Sequence, residues 1–219
     1  MSNHKSINNL IAIEENLKLN KLHINLPKVI AVSKSFPISE ILPLINYGHV
    51  NFGENKIQEA IGKWTEIKKE MTHLKLHMIG KLQTNKVKYA VPLFDYIHTL
   101  DNIKLAEKIA NEQIKVNKKL KIFIQVNIGE EIQKNGINVN DLNSFYKKCC
   151  DDFNLNIVGL MCIPPINKTP NNYFKKMKII SENMKLLELS MGMSSDYLDA
   201  VEYGSTYVRI GSKLFGDRI

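Results

Sequence analysis

Arginine is nearly absent from this sequence. Of its 30 basic residues 28 are lysine, and only Arg209 and Arg218 carry a guanidinium. Cysteine is scarce as well: Cys149 and Cys150 are adjacent and Cys162 sits in an apolar run. That spacing matches neither a disulfide framework nor a zinc site and suits a reducing compartment, so no metal is expected. No run of 18 or more apolar residues occurs, which excludes a helical membrane span. The polar first twenty residues carry Glu14 and Glu15 and lack the apolar centre and cleavage site of a signal peptide, so the expected location is cytoplasmic. The glycine-rich turn that opens a dinucleotide-binding unit is missing. So is any linker or low-complexity tract, and residues 1–219 are expected to form one domain.

The composition that remains, 44% hydrophobic and 24% charged, is that of a folded globular protein. A formal charge of +8 invites a nucleic-acid reading. Its make-up argues against one. Lysine is spread evenly and accompanied by 24 asparagines, the signature of an AT-rich coding sequence, with no basic runs interleaved with aromatics. No nucleic-acid partner is expected. Against that background a retained arginine is informative, because its planar fork does what lysine cannot. Arg209 is read as functional and Arg218 as a surface or C-terminal charge partner.

Short β-branched runs recur along the chain with amphipathic stretches between them. The strands are read at 28–33, 49–52, 74–79, 96–99, 122–127, 157–163, 188–191 and 207–210. Helices are read at 102–118 and 194–203, with a short one at 212–215. Strand and helix in alternation imply a parallel sheet, and eight strands in one chain imply a (β/α)8 TIM barrel, a fold of roughly 200 to over 400 residues. A doubly wound open sheet is the alternative. Too few residues follow the eighth strand for a full closing helix, so an N-terminal helix over about 5–20 is expected to pack on the barrel and take that place.

In such a barrel functional groups lie at the C-terminal strand ends. Lys34 ends an apolar first strand, where partial desolvation favours imine formation with a carbonyl. The loops after strands seven and eight, around Gly192–Ser194 and Gly211–Ser212, are rich in glycine and serine and suit a phosphate. A lysine nucleophile plus a phosphate cup describes an aldehyde phosphate: pyridoxal 5′-phosphate, or a phosphosugar in an aldolase. Glu54 is read as a hydrogen-bonding or helix-start residue. His98 and Asp101 form a strand-end pair without an expected catalytic role.

The segments AVSKSFP (31–37), NFGENKIQEA (51–60), HMIGKLQTNK (77–86), IQVNIGEE followed by Lys134 and Gly136, GLMCIPP (159–165) and SMGMSSDYLDAVEYGSTYVRIGSKLFGDR (190–218) resemble, in order, the motifs of the YggS/PROSC family of pyridoxal phosphate homeostasis proteins. That family is similar in fold to the N-terminal domain of alanine racemase. The resemblance implies that Lys34 forms the imine with pyridoxal 5′-phosphate (PLP), that Ser194, Gly211 and Ser212 take the phosphate, and that Arg209 faces the pyridine nitrogen. It places Asn55 and His77 along the cofactor pocket, although His77 could equally fix loop geometry. Met161 and Met193 are expected to be core residues. The chain departs from the family pattern at Ser35, Lys81 and Cys162, none of them a ligand group.

The implied function is a monomeric PLP carrier without turnover of its own, serving PLP homeostasis and PLP-dependent apo-enzymes, with no membrane partner. A barrel-type amino-acid racemase is the alternative. No clear second base is visible, and the sequence given ends soon after the eighth strand, without the additional domain that completes a racemase site.

Overall fold

The structure, a computed structural model, describes residues 4–20, 26–131, 135–165 and 168–216. Its eight strands are β1 (Lys28–Val32), β2 (Asn51–Glu54), β3 (Lys75–Met78), β4 (Tyr96–Leu100), β5 (Lys121–Gln125), β6 (Ile157–Met161), β7 (Glu188–Met193) and β8 (Tyr207–Ile210). All neighbours are parallel, and β1 pairs with β8, which closes the barrel and removes the open-sheet alternative. The helices are α1 (Lys5–Leu19), α2 (Ile38–Tyr47), α3 (Ile57–Glu70), α4 (Val87–Leu93), α5 (Ile103–Lys115), α6 (Leu142–Asp151), α7 (Pro170–Asn183), α8 (Tyr197–Glu202) and α9 (Ser212–Phe215). None is long and apolar enough to cross a membrane among the described residues.

Helix α9 has a single turn, and α1 supplies the missing wall. It packs against α2 and α9, and Asn9 Nδ2 donates to the Leu214 carbonyl at 2.9 Å. The N-terminal helix therefore completes the outer ring. Its buried Leu10, Ile13 and Leu17 recur at spacings of three and four, the stripe a helix turns toward a core.

Two differences from the sequence reading have local causes. Strand β2 begins at Asn51, not His49, because Gly48 adopts a left-handed φ of 101° and the His49 amide donates back to the Leu44 carbonyl, closing α2. Helix α8 begins at Tyr197, not Ser194. Ser194–Asp196 form a turn in which the Asp196 carboxylate accepts from the Met193 amide.

Strand periodicity then decides what faces the barrel axis. Along β1 and the residues after it, Lys28 reaches the Tyr207 hydroxyl, Ile30 joins the interior cluster, and Val32 and Lys34 line the cavity at the C-terminal mouth. Along β8 the same step carries Tyr207, Arg209 and Gly211. Ile30, Tyr96, Phe123, Met161 and Tyr207 fill the interior, and the larger apolar layer lies between strands and helices. Met161 is thus a core residue, as expected.

Candidate functional site

The mouth of the barrel holds a cavity of about 600 Å³. Lys34 enters it from the second residue after β1, half-buried, with Phe36 beside it. Phe36 stacks on Phe215 at 4.8 Å, which ties the lysine-bearing turn to α9. Arg209 enters from β8, Asn55 from the end of β2, and Ser194, Gly211 and Ser212 from the two loops read as the phosphate cup. Met193, expected in the core, lines the cavity instead, because the register shift between β7 and β8 brings it opposite Arg209 near the mouth. Arg218 lies outside the described residues.

Arg209 is buried and fully committed on one side. Its Nη1 donates to the Ser190 carbonyl and to Ser190 Oγ, both at 2.7 Å, and its Nη2 donates to the Cys162 carbonyl at 2.9 Å. Burial pulls its pKa down from the usual arginine range. Because Arg209 can only donate, Ser190 accepts from it and is left to donate its own hydroxyl hydrogen. His98 Nδ1 stands 2.9 Å from Ser190 Oγ, His98 Nε2 stands 2.9 Å from His77 Nδ1, and His77 Nε2 stands 3.2 Å from Asn51 Oδ1. With both imidazoles neutral, every member donates to the next along this chain. Burial does hold both rings well below the ordinary histidine pKa, with Lys28 adding to the effect on His77 and the neighbouring His77 and Arg209 adding to it on His98.

This geometry answers the question left open for His77. It does not line the cavity. It is wholly buried one level deeper, stacked on Tyr96 at 4.2 Å, and supports Arg209 through His98 and Ser190. The expectation of a pocket-lining His77 is corrected accordingly. The other six expected residues, Lys34, Asn55, Ser194, Arg209, Gly211 and Ser212, share the one cavity.

At the cup, Ser194 Oγ accepts from the Gly211 amide at 3.2 Å and from the Lys213 amide at 3.4 Å. Two backbone amides thus fix the Ser194 hydroxyl at the cavity wall, where it accepts from both and keeps its own hydrogen to donate, beside the small residues Gly211 and Ser212. Beyond β1 from the cup, at the end of β2, the buried Asn55 Oδ1 has no hydrogen-bond partner among the described residues. An orphaned polar atom of this kind is costly unless a ligand satisfies it. An amine, a guanidinium, hydroxyls, amides and an unpaired amide oxygen fit a phosphorylated aromatic aldehyde, so the residues present fit PLP. Among the described lining residues, Lys34 and Arg209 are the only ionisable side chains. Burial pushes the thiol of Cys162, behind Arg209, up to about 12, which keeps it protonated.

Sequence reasoning missed Ser190 and Phe36. The signal for Ser190 was there: Tyr96-x-His98, Ser190 and Tyr207-x-Arg209 place polar groups on the inward step of three strands.

Residues 8–219 match the family model described as alanine racemase, N-terminal domain. The chain is 37% identical over 203 residues to the pyridoxal phosphate homeostasis protein of Aquifex aeolicus, covering 89% of this chain and 88% of that one. It is 38% identical over 205 residues to the protein of that name from Haemophilus influenzae, covering 89% and 86%. Among solved structures, PipY of Synechococcus elongatus with PLP bound matches with a TM-score of 0.85 at 32% identity, covering 96% of this chain and 100% of PipY. An alanine racemase of Clostridium difficile, at 15% identity, has a TM-score of 0.71 over 96% of this chain and 57% of its own, a likeness of fold alone.

Proposed function

Because the chain belongs to the family of pyridoxal phosphate homeostasis proteins, built on the alanine racemase N-terminal domain, we propose that it binds PLP reversibly at the barrel mouth and serves intracellular PLP homeostasis. In this reading residues 1–219 act as one unit, a monomer in the cytosol that carries PLP as a Schiff base on Lys34 and releases it to PLP-dependent apo-enzymes, with no turnover of its own. When bound, PLP supplies an aldehyde that condenses reversibly with a primary amine, with loss of water. Lys34 provides the amine. Ser194, Ser212 and the Gly211 amide hold the phosphate, Asn55 offers its unpaired Oδ1, and Arg209 turns a positive charge toward the ring nitrogen and so disfavours its protonation.

One observation supports the reading against an enzyme: among the described residues the lining holds a single amine and a guanidinium and no second acid or base. Racemisation needs a base to take the α-proton on one face and an acid to return one on the other, and such groups contribute about 10²–10⁴-fold each. A chain that can hold PLP but not shuttle protons across it is suited to storage and release. The test is to incubate PLP-loaded protein with single L-amino acids in deuterium oxide and follow chirality and α-proton exchange. Exchange no faster than with free PLP is expected; multiple turnovers per minute that vanish in Lys34→Ala would promote the racemase.

A further inference from the structure

We propose that Lys63 is a positioning residue: it clamps the turn Ser33–Phe36 and thereby fixes where the Lys34 amine enters the pocket. The inference rests on the reading of Lys34 as the residue that carries PLP. Lys63, on α3, is only 12% exposed, unlike most lysines of this chain. Its ammonium lies 2.8 Å from the Ser33 carbonyl, 3.3 Å from the Phe36 carbonyl, 2.8 Å from Glu59 Oε1 and 2.7 Å from Glu54 Oε1. Two of these acceptors are the backbone on either side of Lys34–Ser35, and the other two are carboxylates that hold the ammonium in place.

The carboxylates also bind the turn directly. Glu54 is wholly buried, and its Oε1 accepts from Ser33 Oγ at 2.7 Å and from Trp64 Nε1 at 3.0 Å. Glu59 Oε1 accepts from the Ser35 amide. Ser35 itself sits at φ 66°, left-handed backbone that a non-glycine residue keeps only when its surroundings over-determine it. The strained residue directly after Lys34 is therefore held by Glu59, and its flanking carbonyls by Lys63. A buried ion pair is a weak source of net stability, so what Lys63 and Glu54 contribute here is geometry. Misplacing a reacting group by about 1 Å can cost on the order of 10²-fold in rate.

The experiment compares PLP with pyridoxine 5′-phosphate, which keeps ring and phosphate but has an alcohol in place of the aldehyde. Lys63→Met is the direct variant. Since it strands a buried carboxylate, the Lys63→Met/Glu54→Gln double variant, without either charge, is measured beside it and carries the test if the single variant does not fold. Imine formation with PLP, followed by absorbance, should slow at least tenfold, while affinity for pyridoxine 5′-phosphate stays within about twofold of wild type. Hydrogen exchange of the Ser35 amide, without any cofactor, should accelerate at least tenfold, and Lys63→Arg should restore both. Unchanged imine kinetics, or equal losses for both ligands, would overturn the clamp. A wild type that forms no imine, or a Lys34→Ala variant that binds PLP as well as wild type does, would sink the reading of Lys34 instead, and the clamp with it.

Discussion

A side chain added at Gly211 should separate binding from folding. A Cβ built there meets nothing nearer than the Val32 Cβ at 3.6 Å and the Val32 carbonyl at 3.7 Å, which is ordinary contact. The backbone φ of −115° is not left-handed, so no glycine-only conformation is lost. Stability of Gly211→Val should therefore stay within about 1 kcal/mol of wild type. The cavity, however, loses the space through which the Gly211 amide is approached. A hydrogen bond to a charged group is worth about 1.5–3 kcal/mol, so PLP affinity should fall roughly 10- to 150-fold. Absorbance titrations with PLP and with unphosphorylated pyridoxal give the readout: the variant should lose most of its PLP affinity and little of its weaker pyridoxal affinity. Gly80→Ala is the contrasting control. Its Cβ would lie 2.2 Å from the Asn55 carbonyl oxygen, against backbone that no side-chain rotation can relieve, so the chain must shift. That should cost about 1–3 kcal/mol in stability. If Gly211→Val bound PLP as tightly as wild type, or lost PLP and pyridoxal equally, the phosphate would not sit at this loop.

Three further outcomes follow from buried polar groups. Glu54→Ala removes a buried counter-charge of Lys63 and should cost about 3 kcal/mol, the low end for a broken buried pair because Glu59 remains, lowering the melting temperature by about 6–12 °C; an unchanged melt would contradict it. Ser190→Ala takes one acceptor from Arg209 and the donor from His98 and should cost about 1–3 kcal/mol, with a shifted absorbance of bound PLP as the sign that Arg209 has moved; a melt and spectrum like wild type's would show that Ser190 does not support Arg209. Burial lowers the pKa of His49 to about 4, so below pH 6.5 the unfolded chain binds the proton that the folded chain refuses. Stability from His49 is therefore full above pH 6.5 and lost by up to about 3 kcal/mol as pH falls to 4, with His77 and His98 acting in the same direction; urea midpoints that stay flat from pH 7.5 to 4.5 would refute this.

The barrel was legible because its strands are short, β-branched and separated by amphipathic helices, so each run was found within a few residues of where it lies. The site was legible at Arg209, where guanidinium scarcity marked it, and at Lys34, where an apolar strand ends in an amine. His77 misled because strand-end position does not reveal depth: it lies one residue before the end of β3 and points inward below the mouth. Lys63 was invisible. Nothing in its local spacing separates it from 27 other lysines, and two of its partners, the carbonyls of Ser33 and Phe36, lie 30 and 27 residues away. Contacts of that kind come from the closed sheet, not from any window of sequence.

The central claim, that Lys34 carries PLP, is tested most directly by borohydride reduction of the PLP-loaded protein followed by peptide mapping. One phosphopyridoxyl group per chain is expected, on Lys34, and none on Lys34→Ala, which should fold as wild type does. A label found chiefly on Lys81, Lys86 or another lysine, or no stable label at all, would contradict the account.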